Sequence, residues 1–460
     1  MFPPIPYFQT MNMRKNIIIA ACMLVFASSL CAQESGRMDV KDCMRYAVSN
    51  STKMRVREAA IGDARIDRRE AILRAFTPSV SARMSAYYNF GRTVDPQTNT
   101  YVSTTTFYNS YGLSAGITLF DGFEAVNNIK ISKTSLAMGY SEEEQAEADI
   151  CLATMEAYYN AVYYSKISDI YREQVQTAES SVTLARKQES LGVKSYADVV
   201  QAESELADRK YELTNAENLR NDAMTTLQDV MFWPLDSALV IETDIDVSSF
   251  FLPESEQATE GIVEYAKEHN PAALIALGTL KNAKLALSSA RGQLLPTLSL
   301  NGGWSTTYYE YPNSSYTVDP FRDQFRNNGG EYVQLSMSIP IYDRLSVHNN
   351  IARKKNAVRK ASAEYDQKLR DIEAEVRRAV QDRDGAAASY LQAERKGEVQ
   401  EESYSLNKGK YEQGLISGIE LQSATDKYLA AKADRLNSMF KFLIKKSVVE
   451  YYNGTKYTEQ

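Results

Sequence analysis

The segment Leu119-Phe120-Asp121-Gly122 has a counterpart at Ile341-Tyr342-Asp343-Arg344, and each copy precedes a distant glycine, Gly192 or Gly414. The distance from aspartate to glycine is 71 residues in both copies (192 − 121 and 414 − 343). As a helix, such a stretch measures roughly 105 Å at about 1.5 Å per residue, which is long for a globular domain. The equal lengths predict a tandem repeat with two long rods. They favour a tube, a coiled coil or a spacer over a compact enzyme.

The N-terminus has the pattern of a secretory signal peptide, which we place at residues 1–32. A short basic start at Met13 is followed by an apolar stretch over residues 17–30 and by small residues. Met13 is a candidate for the true start, because residues 1–12 have no place in this pattern. Lipidation at Cys22 is a competing interpretation, although the apolar stretch before it is short.

Composition argues against several classes of function. After cleavage two cysteines remain, Cys43 and Cys151, and a disulfide between them stays open at this stage. The two histidines, His269 and His348, form no cluster with cysteine, so the sequence predicts no metal site and no cofactor. The net charge of −7 gives no basic surface for nucleic acid. Most carboxylates lie in charged helical faces, which are typical of solvated helix surface.

Each repeat changes from a helical period to a period of two after a proline, Pro78 in the first copy and Pro296 in the second. Apolar residues then alternate with small or hydroxylated ones, which predicts two-faced strands. Aromatic residues crowd the ends of these strands, as in the girdles of an outer-membrane barrel. A soluble antiparallel sandwich is the alternative interpretation. The alternating runs cover residues 80–90, 111–119, 298–304 and 333–341.

Four strands per chain cannot close a barrel, since the smallest barrels of this kind need about eight. The barrel interpretation therefore predicts that several chains share it. Two chains would give eight strands and a filled interior. Three chains would give twelve strands and an interior wide enough to conduct.

The helical segments have coiled-coil seams with alanine at many positions, which lets neighbouring helices approach closely. Arg209 and Arg220 interrupt the seam of the second helix. The predicted organisation is a first repeat at residues 33–240, a linker at 241–257, a second repeat at 258–452 and a tail at 453–460. Within the repeats we predict strands at about 79–120 and 297–341, and long helices at about 123–190, 195–231, 344–412 and 417–450.

The joints after the first long helix of each repeat carry a resemblance to a known family. They read Leu191-Gly192-Val193-Lys194-Ser195-Tyr196-Ala197-Asp198 and Gln413-Gly414-Leu415-Ile416-Ser417-Gly418-Ile419-Glu420. Together with the strands that follow prolines and the Leu-Phe-Asp-Gly segment, they resemble the paired helix-turn-helix tips of the TolC family of outer-membrane efflux proteins. The resemblance covers about residues 39 to 452.

The resemblance implies an α+β membrane protein that forms a homotrimer. Each chain would give four strands to a twelve-stranded outer-membrane β-barrel and its long helices to a periplasmic tunnel. The implied role is the passive exit duct of a tripartite efflux pump or a type I secretion system, and not an enzyme. The implied partners are outer-membrane lipid, a periplasmic adaptor at the helical tips and, through it, an inner-membrane transporter of the RND, ABC or MFS type.

The resemblance also assigns roles to two groups of residues. A glycine permits the tight turn of a tip, and a carboxylate repeated by threefold symmetry would form an acidic ring that favours cations. An ordinary helix connector and an exposed helix charge are the alternative interpretations. The expected adaptor contacts are Leu191, Gly192, Val193, Ser195, Gly414, Leu415 and Ser417. The expected periplasmic aperture consists of Asp198, Tyr411 and Glu420.

The sequence departs from the family pattern at two positions of the aperture. Ile416 stands where some members carry an arginine, so an arginine link to Asp198 is absent. Ser423 stands where some members carry a further aspartate, which removes a second acidic ring. A closed state in this chain must therefore use other contacts.

Two other functions compete with the duct. A secreted coiled-coil spacer or adhesin with a β cap explains the helices but not four alternating strands with aromatic ends. A periplasmic hydrolase with paired carboxylates needs convergent residues that the sequence does not offer. The cargo is not readable from the sequence.

We expect negative-stain electron microscopy of the detergent-extracted protein to show hollow tubes with threefold symmetry. Their length should be about 140 Å, which combines roughly 105 Å of helix with roughly 35 Å of strand. Compact particles, or protein found only in the soluble fraction, would contradict the barrel and favour the spacer.

Overall fold

The computed structural model describes residues 37–95, 99–244, 259–312, 317–413 and 415–460, over which the chain forms nine helices and four strands. The helices are α1 (Val40–Asn50), α2 (Thr52–Phe76), α3 (Glu124–Ser190), α4 (Tyr196–Met231), α5 (Thr259–His269), α6 (Pro271–Gly292), α7 (Phe321–Asn327), α8 (Ser346–Glu412) and α9 (Gly418–Tyr452). The strands are β1 (Ser79–Val94), β2 (Tyr101–Phe120), β3 (Thr297–Glu310) and β4 (Gly330–Ser338). The predicted signal peptide at 1–32 lies outside the described residues, as does most of the predicted linker.

The strands form one antiparallel sheet in the order β1-β2-β3-β4. Strict alternation gives the sheet a hydroxylated face, on which Ser81 bonds Ser114 at 2.9 Å and Ser85 bonds Ser110 at 2.7 Å. The opposite face carries the apolar residues, and they are exposed in the single chain. Four of them are Val80, Met84, Leu113 and Val333.

Helices α3 and α8 have 67 residues each, which corresponds to about 100 Å. Helix α3 packs along α4, and α8 packs along α9, so each repeat forms one long hairpin. Among the described residues, no helix is apolar enough over a sufficient length to cross a membrane. Long helices together with a four-stranded sheet confirm the predicted fold class at the level of the single chain.

The aspartate of each Leu/Ile-Phe/Tyr-Asp segment starts the long helix that follows it. The Asp121 carboxylate accepts a hydrogen bond from the backbone N–H of Ala125 at 2.9 Å. The Asp343 carboxylate accepts one from Val347 at 2.5 Å. Each bond satisfies an N–H that the first turn of a helix leaves unpaired, and a carboxylate also suits the positive end of the helix dipole.

The main core surrounds the N-terminal helix and joins it to α3, α4 and α9. Cys43 and Cys151 both lie in this core, and both thiols are free. Burial raises the pKa of each thiol to about 12, so both stay protonated and unreactive at neutral pH. The end of the chain also joins the core, since the buried ring of Tyr457 stacks on Tyr451 with the ring centres 4.9 Å apart.

Two glycines allow the start of α3 to touch the end of α6. A Cβ added to Gly292 would lie 1.9 Å from the carbonyl oxygen of Gly122, and one added to Gly122 would lie 2.2 Å from that of Gly292. Gly122 also has a φ of +69°, a left-handed conformation that glycine adopts without strain. The contact therefore holds the start of α3 close to the end of α6.

We expect Gly292→Ala to lower the free energy of unfolding by about 1–3 kcal/mol or more, because the backbones must separate to admit the methyl group. The matched control is Gly385→Ala in the middle of α8, where an added Cβ meets no atom within 4 Å. There alanine should be neutral or stabilise by up to about 1 kcal/mol. Thermal unfolding of the detergent-solubilised protein measures both, and equal effects of the two changes would contradict the close contact.

Candidate functional site

The first hairpin turns between α3 and α4 through residues that satisfy the end of α3. Gly192 adopts a φ of +72° and donates its N–H to the backbone carbonyl of Glu189 at 2.8 Å. Val193 donates to the carbonyl of Gln188, five residues back, at 2.9 Å. These bonds pair carbonyls that the helix end would leave free. The turn is therefore tight because glycine stands at its left-handed position.

The second hairpin turns between α8 and α9 with the same spacing. Leu415 donates its N–H to the carbonyl of Lys410, five residues back, at 2.9 Å. Gly414 lies outside the described residues, so its role in the turn stays a prediction. Both tips expose apolar side chains, with exposed fractions between 67% and 73%. Contiguous exposed apolar patches are typical of interaction surfaces for protein, membrane or ligand. They comprise Leu191, Val193, Tyr196, Leu415 and Ile419.

The two predicted aperture carboxylates each bond to their own helix start. The Asp198 carboxylate accepts hydrogen bonds from the backbone N–H of Ser195 at 2.9 Å and from its hydroxyl at 2.8 Å. The Glu420 carboxylate accepts the same two bonds from Ser417, at 2.8 Å and 3.1 Å. Both serines accept in return from the backbone of the acidic residue, which completes two capping boxes.

The hydrogen bonds from Ser195 lower the pKa of Asp198, and the nearby charge of Lys194 lowers it further. A lowered folded pKa means that the carboxylate stabilises the tip above its unfolded pKa, and that this contribution is lost as the pH falls through the folded pKa. The tip therefore keeps its capping box at neutral pH. The Asp198 side chain is exposed to solvent while it accepts these two bonds.

Lys194 connects the two tips within one chain. Its ammonium group donates to the Tyr411 hydroxyl at 3.2 Å and lies 5.0 Å from the centre of the same ring. Both residues are half-buried. Among the described residues, no hydrogen bond joins Asp198 to Tyr411. The structure thus brings Tyr411 to a lysine that the sequence analysis did not assign to the aperture.

A buried arginine links the two hairpins farther from the tips. The guanidinium of Arg209 in α4 donates to the Asp426 carboxylate in α9 at 2.7 Å, and Glu205 lies at 3.7 Å. The Arg209 side chain is 8% exposed, whereas that of Asp426 is 53% exposed. The sequence marks Arg209 only by its position, because an arginine there interrupts an apolar seam.

A four-stranded antiparallel sheet joined to two long helical hairpins defines a class of protein, the protomer of an outer-membrane channel. Residues 46–231 and 262–439 match the model of the family described as outer membrane efflux protein. The chain belongs to this family, which places it in the outer membrane. The predicted resemblance and localisation are therefore confirmed.

Individual proteins agree with this assignment. Protein CyaE of Bordetella pertussis is 25% identical over 276 residues, which are 60% of this chain and 56% of that protein. The chain thus matches little more than half the length of this curated relative. The crystal structure of CusC has a TM-score of 0.74 at 17% identity, covering 90% of this chain and 92% of CusC. The outer membrane protein VceC of Vibrio cholerae has a TM-score of 0.71 at 14% identity, covering 91% and 96%. At these identities the two structures establish the fold.

We expect Asp426→Asn to lower the free energy of unfolding by about 1–3 kcal/mol, because the buried Arg209 loses its nearest charged partner. The matched control is Asp434→Asn, also in α9, whose partner Lys396 and whose own side chain are both about half exposed. A surface pair of this kind contributes about 0.5 kcal/mol or less. Urea unfolding of the solubilised protein compares the two variants. Equal decreases in the free energy of unfolding would show that the pair of Arg209 with Asp426 stabilises the protein no more than a surface pair does.

Proposed function

We propose that three copies of this chain form a passive outer-membrane exit duct for a tripartite efflux pump or a type I secretion system. The observation that carries the proposal is the sheet, which has two free edges and exposes both an apolar and a hydroxylated face. An apolar outside and a polar inside are what a barrel in lipid requires. Three copies give twelve strands, which supports an open interior.

The long hairpins extend this proposed barrel into a tunnel. With about 100 Å of helix, they reach far beyond the thickness of a membrane. We place them in the periplasm, because a secreted chain enters the outer membrane from that side. Cargo would pass along the tunnel without chemical change, so the proposal assigns no catalytic residue and no cofactor.

The exposed apolar tips support a protein partner at the far end of the tunnel. We propose that Leu191, Gly192, Val193 and Ser195 of one tip contact a periplasmic adaptor. We propose the same of Gly414, Leu415 and Ser417 of the other. Such an adaptor would connect the duct to an inner-membrane transporter of the RND, ABC or MFS type, which supplies the energy. A spacer or adhesin, by comparison, gives no reason for a sheet with two exposed faces and no reason for membership in an efflux family.

We propose that the contact between Lys194 and Tyr411 helps to hold the periplasmic aperture closed. It replaces the arginine link that Ile416 removes, and it joins the two tips that must separate for the aperture to widen. Asp198 and Glu420 lie one helical turn behind the tips. Repeated by threefold symmetry, the exposed Glu420 carboxylates would form an acidic ring that favours cations.

Planar-bilayer recordings of the purified protein test both the duct and its closure. We expect the wild-type protein to give discrete conductance steps, and Lys194→Gln to raise the ratio of open to closed channels at least about fivefold. Each contact worth about 1 kcal/mol shifts this equilibrium about fivefold, and a trimer of the variant loses one contact in each chain.

The control is Lys187→Gln, which removes the same charge from an exposed position of α3 near the tip. It should leave the open probability unchanged. Absence of conductance in the wild-type protein would reject the duct. Conductance with equal behaviour of the two lysine variants would keep the duct and reject the closing contact.

A further inference from the structure

Helix α7 lies beside the part of β3 that β4 does not cover. Strand β4 pairs with β3 from Thr297 to Ser305, and from there to Glu310 β3 is paired with β2 on its other edge only. The buried Gln324 side chain takes the place of a neighbouring strand, since it accepts from the N–H of Tyr309 at 3.1 Å and donates to its carbonyl at 3.0 Å. A further side-chain bond runs from Asn328 to the Thr307 carbonyl at 2.8 Å. The short helix is therefore fixed to the edge of the sheet.

Two phenylalanines of α7 hold the helix against the apolar face of the sheet. The Phe325 ring centre lies 5.4 Å from that of Tyr111 and 5.5 Å from that of Trp304. The Phe321 ring centre lies 5.2 Å from that of Tyr308. The register places Tyr111 and Trp304 on the same face as Leu113, which is the face that the proposed barrel turns to lipid. Helix α7 is thus on the lipid side of the wall.

Two arginines follow these phenylalanines along the helix. Arg322 and Arg326 lie four residues apart, so they share one side of α7, about 100° from the side that carries the phenylalanines. Both are exposed, and among the described residues neither forms an ion pair or a hydrogen bond. Of the nearby acids, Glu310 accepts from the Tyr308 hydroxyl at 2.9 Å. Asp323 lies on a further side of the helix.

The height of α7 on the sheet places these arginines at the membrane surface. Thr306, whose hydroxyl donates to the Phe325 carbonyl at 2.8 Å, is nine residues from the helix-bearing end of β3 at Thr297. Nine residues span about 30 Å of strand, or about 23 Å in height at a tilt of about 40°. The apolar band of such barrels is about 25 Å tall. In the proposed barrel, with the apolar band starting at Thr297, the arginines lie where that band ends and the outer headgroups begin.

We propose that Arg322 and Arg326 bind the phosphate groups of a phosphorylated glycolipid in the outer leaflet, while the surrounding aromatic rings pack on its apolar part. Arginine presents a planar fork of donors that suits phosphate, and aromatic rings accumulate at this depth of a membrane. Each trimer would carry three such sites. The inference rests on the proposed trimeric barrel, because that barrel makes this face the lipid-facing one.

Native mass spectrometry of the detergent-solubilised trimer tests the site. The probes are diphosphoryl lipid A and the same lipid after removal of its phosphates. We expect the wild-type trimer to retain the phosphorylated lipid with at least about tenfold preference, and Arg322→Gln with Arg326→Gln to abolish that preference. The control pair is Arg83→Gln with Arg353→Gln. It removes the same charge from the hydroxylated face of the sheet and from helix α8, and it should keep the preference.

The other outcomes each overturn the inference. Equal retention of both lipids by the wild-type trimer would show that phosphate is not recognised. Equal loss in the control pair would show that only net charge matters. Dissociation of the trimer in the Arg322 and Arg326 variant would show that α7 serves the contact between chains. A wild-type protein that is monomeric would instead reject the trimeric barrel, which the recorded mass shows directly.

Discussion

Backbone N–H and C=O groups at an open sheet edge find no water inside a membrane, so a sheet can span one only when its edges are paired. Within the part of the chain that the structure describes, β1 and β4 each have one edge that no strand pairs. Because all four strands alternate in direction, the β4 edge of one copy runs antiparallel to the β1 edge of the next. Identical chains can therefore close a ring. In the proposed ring, the apolar face of the sheet would contact lipid and the hydroxylated face would line the interior that continues into the tunnel.

The equal length of the two repeats follows from the same geometry. Both hairpins start from one sheet, and their tips must end at one level if they are to form the mouth of a single tube. Each long helix has 67 residues, begins after an aspartate that caps its first turn, and ends in a turn that bonds five residues back. The repeated spacing in the sequence thus follows from the need for two long helices of equal length. A one-residue slip would also rotate every later side chain by about 100°.

The sequence predicted what depends on periodicity: the strands, the long helices and the tips. It did not predict contacts between residues that lie 217 positions apart, such as Arg209 with Asp426 and Lys194 with Tyr411. No pattern along the chain encodes such pairs. Helix α7 has no signature in the sequence either, because residues 312–330 are rich in the proline, asparagine and glycine that are typical of exposed loops. What holds α7 in place is one buried glutamine and two phenylalanines, which have no signature at the scale of seven residues.

The two contacts between hairpins differ in strength, and this difference suits a tube that opens at one end. Arg209 lies fourteen residues from Ser195, about 21 Å from the tip, and separating its buried guanidinium from Asp426 would leave a buried charge without its nearest partner. The contact between Lys194 and Tyr411 at the tip joins a charged group to a neutral one in partial contact with water, so it opens at lower cost. The two hairpins are therefore held more firmly at Arg209 and Asp426 than at Lys194 and Tyr411. On the proposed function, the aperture opens when the tips bend about the contact between Arg209 and Asp426, and the wall of the tunnel stays intact.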